Sequence, residues 1–328
     1  MLFSSHPLPK IPMSAQASFL SIAHNKILRC EKFLSEMDRI MPWGRFMERV
    51  LPYYTEKEVG RKHKELKLML KIYFAQKWYD LSDPGMEDAI YDRASFQKFL
   101  EVDVLGDTVP DETTICKFRH LLEEHALQEE FFAIVNEILE ERGLLLRHGT
   151  ITDATIVDAP SSTKNKEGKR DAAMSSTKKG NQWYFGMKAH IGTDTKGIVH
   201  SLETTAAKVH DKAMMTLLYH GKERAKFGDK AYGAKKEKRK ARKDGVFYGI
   251  ADRGARNHPL SAAQKKRNRQ LSSVRSFVEH PFQVIKCQWK FRKVRYRGLE
   301  KNRLHLFALF ATCNLYRVRR QLLAPVLA

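Results

Sequence analysis

At Gly149 the chain changes its periodicity. From about residue 15 to Arg147 nearly every segment repeats apolar residues at helical spacing, whereas Thr150-Ile151-Thr152-Asp153-Ala154-Thr155-Ile156-Val157 is rich in β-branched residues and reads as a strand. No single class of secondary structure accommodates both. The expectation is therefore an α+β chain, with a helical domain over 15–147 and a mixed-sheet domain over 148–328. Residues 1–14, punctuated by Pro7, Pro9 and Pro12, show no periodicity and read as a loose lead-in.

Within the helical part, Thr55 and Glu58 have the spacing of a capping box ahead of Leu66, Met69, Leu70, Tyr73 and Phe74, which fall on one stripe of a core helix. Asp83-Pro84 starts a short helix, Ala94 to Leu100 forms another, and Pro110-Asp111 opens one that turns Ile115, Phe118 and Leu122 inward. The last two could form a helix-turn-helix presenting Thr113, Lys117 and His120, although their connection is long for that motif and a plain bundle fits equally well. Beyond a lysine-rich loop, Trp183 to Gly192 and Ile198 to Ala206 read as strands joined by the turn Asp194-Thr195-Lys196-Gly197. Then follow a helix from Asp211 to His220, a strand from Ala225 to Gly228, a basic helix from Lys235 to Lys243 and a strand from Val246 to Ala251. Two helices close the chain, one around Glu279 and one from Lys301 to Leu323 that buries Leu304, Phe307, Ala308, Ala311 and Leu315. This order predicts a mixed sheet covered by helices, as in the ribonuclease H-like fold.

Charge narrows the partners. Lys and Arg number 59 against 38 Asp and Glu, a net +21 that exceeds what solubility requires and points to a polyanion, nucleic acid first. Passive binders share such a charge, so the chemistry has to come from particular residues. Cys30, Cys116, Cys287 and Cys313 are scattered without a C-x-x-C pair, which argues against a zinc ribbon or a disulfide framework and fits a reducing cytosol. His190, His200 and His210 fall on different elements without zinc-ligand spacing. The apolar run Leu304 to Leu315 is interrupted by His305 and is too short to span a bilayer, so no membrane role is expected.

The basic residues cluster: Lys235 to Lys243, with Lys238, Arg239, Lys240, Arg242 and Lys243; then Lys265, Lys266 and Arg267; then Arg292, Lys293, Arg295 and Arg297. Acids are nearly missing from these runs, which favours contact with phosphates over a solvated charged face. Trp183, in a Lys-flanked stretch, is a candidate for stacking on a base, or a core residue at a strand start.

Three acids occupy strategic places: Asp153 in the first strand, Asp229 just beyond the Ala225 to Gly228 strand, and Glu279 on a late helix. Hard divalent cations take such oxygen ligands, and two ions about 4 Å apart can activate an attacking oxygen and stabilise a leaving one. On a regular helix Arg275, Glu279 and Lys286 would share one face, with Val274, Phe277, Val278, Phe282 and Ile285 on another. Such a face suits a phosphate backbone, and a solvated ion-pair helix has the same spacing; Pro281 either kinks this helix or marks its start.

Arg275-x-x-x-Glu279 followed by Lys286 resembles the signature of insertion-sequence transposases, except that Ser272 stands where that family has Tyr. Asp153-Ala154-Thr155-Ile156, Ala159-Pro160-Ser161-Ser162-Thr163-Lys164, the run Lys179 to His190, Gly228-Asp229-Lys230-Ala231-Tyr232 and Val109-Pro110-Asp111-Glu112-Thr113-Thr114 resemble the insertion-sequence-five type of this group. The likeness spans roughly Gln16 to Arg320. It implies a ribonuclease H-like core with catalytic, metal-binding Asp153, Asp229 and Glu279, and two Mg²⁺ or Mn²⁺ ions per active site. It also implies double-stranded transposon-end and target DNA as substrates, a homodimer or larger assembly on that DNA, and a bacterial, nucleoid-associated setting. Asp158 competes with Asp153 for the first position but lies at an odd offset, on the other face of the strand. A nuclease of the same fold without strand transfer and a catalytically silent DNA-binding descendant are the rival functions.

Overall fold

The computed structural model describes residues 26–54, 63–166, 168–233, 235–254 and 258–324. The proline-rich lead-in and the Thr55/Glu58 capping box lie outside the described residues. Among the described residues seven helices precede the sheet: α1 (Arg29–Ile40), α2 (Trp43–Val50), α3 (Leu66–Trp78), α4 (Asp83–Asp92), α5 (Ala94–Leu100), α6 (Glu112–Glu124) and α7 (Leu127–Glu141). Their starts follow side-chain chemistry. Ser82 Oγ accepts the Gly85 N–H ahead of α4 and Asp111 Oδ1 accepts the Thr114 N–H at 2.7 Å ahead of α6, each satisfying an otherwise unpaired helix donor. The single stripe expected on α3 is an underestimate. Lys71, Ile72, Gln76 and Lys77 are buried along with the apolar residues, so α3 is a central helix enclosed on all sides.

The sheet follows with β1 (Gly149–Asp158), β2 (Ser175–Lys179), β3 (Gln182–Thr193), β4 (Val199–Ala206), β5 (Ala225–Gly228) and β6 (Phe247–Ile250). Its order is β2-β3-β1-β5-β6, with β4 also paired to β3. β1 runs antiparallel to β3 and parallel to β5, and β5 runs parallel to β6, so the sheet is mixed. The β3–β4 turn is built on Asp194, whose Oδ1 accepts the Lys196 and Ile198 N–H groups, with Gly197 at φ +79°. β2 lies inside the segment read from sequence as a loop, because five mostly exposed polar residues carry no alternating apolar signal.

Helices α8 (Asp211–Met214), α9 (Lys235–Lys243), α10 (Ala262–Arg275), α11 (Glu279–Gln283) and α12 (Leu299–Leu323) complete the chain. The helix expected from Asp211 to His220 is one α turn followed by a 3-10 turn over Met215–Leu218. Helix α10 went unread because Leu271 is its one buried residue, yet Ser261 and Gln264 form a complete capping box at its start. Helix α12 is buried continuously from Leu304 to Leu315 and packs on α1, α7 and β4. There Asn314 donates to Val199 O and Asn136 Oδ1 and accepts the Val199 N–H, tying sheet and helices together at one buried amide. Among the described residues no helix is long and apolar enough to cross a membrane.

Candidate active site

Parallel pairing aligns Gly149 with Ala225 and Ile151 with Phe227. Two residues beyond the last pair of this ladder lie Asp153, still within β1, and Asp229, the residue that follows the end of β5. Past Gly228, β1 loses β5 as its neighbour and regains a backbone partner on that side only at Asp158, whose N–H donates to Arg292 O and whose carbonyl accepts the Val294 N–H. Crevices outside the carboxyl ends of adjacent parallel strands are where open α/β sheets take ligands. The step from Gly228 into Asp229 is tight. A Cβ at Gly228 would sit 3.0 Å from Ile250 Cδ1 and 3.2 Å from both Thr152 Oγ1 and Tyr232 Cδ2, so a side chain here would displace Asp229.

Burial pushes the Asp153 carboxyl up to about 6, and the negative charges of Asp229 and Asp211 add to this, against the Ala154 N–H and Arg275. Arg275 Nη1 lies 3.6 Å from Asp229 Oδ1. Its Nε is buried with no hydrogen-bond partner among the described residues, so the guanidinium retains a free donor. Tyr232 is 2% exposed and its hydroxyl is likewise unpartnered. Burial, with the charges of Asp211, Asp153 and Asp229, holds that phenol far above its ordinary range. Arg275 beside Asp229 and Lys188 beside Asp211 are two cations against the three acids Asp153, Asp229 and Asp211, which leaves excess negative charge in a partly buried place. The donors Asp153 and Asp229 therefore fit a hard divalent cation.

Sequence reading missed Asp211 and its partners. Lys188 Nζ lies 2.8 Å and His190 Nδ1 3.8 Å from Asp211 Oδ1, and His190 Nε2 is 2.8 Å from Thr205 Oγ1. Burial pushes His190 down to about 4, so the ring is neutral. Lys188 and His190 fall on one face of β3 by alternation, which was a usable signal; their link to Asp211 needs the fold.

Glu279 is placed differently. It is the exposed first residue of α11, preceded by a 3-10 turn over Ser276–Val278 that packs on β1. Among the described residues no three His, Cys, Asp or Glu side chains form a ready cation cage. Arg275, Glu279 and Lys286 do not lie on one regular α-helix. The helix changes to a 3-10 turn before Glu279 and to a π turn over Val284–Gln288, around the Pro281 that lacks an N–H, and this breaks the 3.6-residue phase. Arg275 turns to Asp229, while Lys286 Nζ donates to Ile156 O.

The basic residues divide in the same way. Lys238, Arg239, Lys240, Arg242 and Lys243 on α9 are exposed, as are Lys265, Lys266, Arg292, Lys293, Arg297 and Lys117. Arg267 instead pairs with Asp252 at 2.9 Å and donates to Tyr248 O, and Arg295 pairs with Asp80 at 2.8 Å, so both are engaged in holding the fold. Trp183 is 68% exposed, against the reading of it as a core residue.

A family profile described as Transposase DDE domain matches residues 146–315, and one described as Transposase domain (DUF772) matches residues 23–121. No solved structure matches the chain. The first match covers more than half of the sequence, including Asp153, Asp229 and the segment around Glu279, and the chain belongs to the family of transposase DDE domains.

Proposed function

We propose that this protein is an insertion-sequence transposase of the insertion-sequence-five type, which binds its element's terminal repeats, cleaves at the ends and transfers the freed 3′-hydroxyl to target DNA. The observation that carries the reading is the pair Asp153 and Asp229 just past the end of the β1–β5 ladder, each feeling the other's charge, with the Asp153 carboxyl pushed up to about 6 and Arg275 3.6 Å from Asp229. The mixed sheet, with β1 central between antiparallel β3 and parallel β5, supports a ribonuclease H-like catalytic domain over 148–328. Residues 15–147 are read as the DNA-binding and positioning domain, with exposed Lys117 on α6 as one contact.

Asp153 and Asp229 would hold Mg²⁺ or Mn²⁺, with Glu279, just after the 3-10 turn that packs on β1, as the third carboxylate. Two such ions supply an activated attacking oxygen and a stabilised leaving oxygen. The chain's own part is positioning. Arg275 neutralises Asp229 and offers its free Nε–H to a phosphate oxygen, and a planar fork suits that task where a lysine would not. The exposed cations of α9 and of residues 265–266, 292–293 and 297 hold the duplex without selecting sequence. Bringing two ends together calls for at least two copies of the protein.

The test is to incubate purified protein with end-bearing DNA, target plasmid and Mg²⁺. Cleaved ends covalently joined to target are the expected result. Hydrolysed ends that never join would make the protein a nuclease, and intact DNA that is nevertheless bound would make it a silent DNA-binding protein.

A further inference from the structure

The strands β2 and β3 leave the sheet together as a two-stranded ribbon. Ser175 pairs with Gly186 at its base and Lys179 with Gln182 at its tip, where Gly180, at φ +63°, and Asn181 make the two-residue turn. The base is rigid. A Cβ on Gly186 would lie 2.1 Å from Val157 O, and the Ala159 N–H donates to Phe185 O at 2.7 Å.

Directly opposed residues of antiparallel strands share a face, so Lys178 lies beside Trp183, and Ser176 beside Phe185. Arg170 covers the Phe185 ring at 5.4 Å. One face of the ribbon therefore carries Lys178, Trp183, Phe185 and Arg170, with cations and rings interleaved. Trp183, 68% exposed, stands out against Trp43, Trp78 and Trp289, which are 8%, 2% and 3% exposed. An indole left in water forgoes the stabilisation that burying so large a side chain gives, and the fold gains nothing from it at this position.

We propose that Trp183 is a stacking platform for an unpaired DNA base, with Lys178 and Arg170 on the flanking phosphates. This rests on the transposase reading and names a ligand within it: a nucleotide lifted out of the duplex. The charge of the ribbon face selects a polyanion, and the bare ring selects a flat, unstacked partner. The position is set by β3. Trp183 lies eight residues along the strand from Ile191, the register partner of Asp153, which at about 3.3 Å per residue places it some 26 Å from the aspartates, or roughly seven to eight base pairs of duplex.

The other three tryptophans are enclosed, so quenching of the protein's fluorescence by DNA reports on Trp183. Three versions of the end DNA should be titrated: fully paired, with one unpaired base, and with an abasic residue at that same place. The unpaired base is expected to quench, and the paired and abasic duplexes to quench weakly or not at all. Trp183→Ala should lose roughly 5- to 100-fold of the preference for the unpaired base, Trp183→Phe should keep most of it, and Lys178→Ala should keep the preference while flattening the salt dependence. Equal quenching by the unpaired and abasic duplexes, or an unchanged preference in Trp183→Ala, would overturn the stacking role and leave the transposase reading standing. Failure to bind any of the three would overturn that reading as well.

Discussion

Two groups of acids in this molecule, both partly buried and both beside arginine, end in opposite electrostatic states. In the helical half, Arg119 is 6% exposed and holds Asp83 and Glu123 at 2.9 Å each, while Lys77 donates to the Tyr296 hydroxyl at 2.8 Å. Burial works against the charge on Asp83, yet hydrogen bonds from Arg119 and Gln76 prevail and hold its carboxyl below the usual range. At the carboxyl end of β1 burial prevails instead, and Asp153 is pushed up. The helical group finds its countercharge within the protein, although Arg119 Nε and Glu123 Oε2 lack a hydrogen-bond partner among the described residues. The sheet group does not, and a site short of positive charge is one that expects a cation from outside.

The comparison can be broken most severely at the sheet. Asp153→Asn should reduce strand cleavage by about four orders of magnitude, above 5 kcal/mol of transition-state stabilisation, with end binding retained. In EDTA the same variant should melt at a higher temperature than wild type, since it removes a charge that burial disfavours. Cleavage at near wild-type rate, read on a denaturing gel, would end the assignment of Asp153 to the chemistry.

Arg119→Met should do the reverse, costing about 3–5 kcal/mol of stability because Asp83 and Glu123 lose their partner in a buried place. Cleavage per folded molecule should persist. Urea unfolding beside a single-turnover assay separates the two effects, and a normal melting curve would mean that the helical group does not depend on Arg119 for its countercharge.

A gentler probe is pH. Burial, with Arg119 nearby, pushes Lys77 down to about 7 from an ordinary 10.5, so between these values the unfolded chain holds a proton that the folded one has released. Stability contributed here rises with pH above 7, and the rise should be visible to about pH 9, before unfolded tyrosines ionise. Lys77→Met should remove that slope in denaturation curves, and an unaltered slope would place the effect elsewhere.

The smallest effect concerns surface charge. Charge reversal at Lys238, Arg239 and Lys240 should weaken binding to all DNA sequences alike and reduce the slope of log affinity against log salt by up to about 3. A slope that does not change would return α9 to a solvated face.

The strands that carry the two aspartates to one end of the sheet were legible because both signals are local: a β-branched run around Asp153, and a Gly-Asp step ending another strand. What the sequence could not express is which cations are already engaged. Arg267 and Arg295 look like their neighbours in basic runs, yet Asp252 and Asp80 claim them, and Asp80 lies over two hundred residues away from Arg295. The Glu279 segment misled for another reason. Helical projection assumes a constant 3.6-residue period, and the changes to 3-10 and π geometry around Pro281 remove it.

Helix α12 also has a consequence for the order in which the molecule can assemble. Arg319 Nε meets Glu36 Oε2 at 3.0 Å across 283 residues, and Asn314 closes on Val199 and Asn136 in the same helix. Both the first described helix and the β4 edge thus lack a wall until residues 299–323 have left the ribosome. Contacts of such sequence separation form late and slowly, because a long loop must close before they contribute. The nascent chain should therefore remain sensitive to protease until residues 299–323 have emerged, and become resistant only then. Unfolding of the finished protein, in turn, should be governed by the rate at which this one helix detaches.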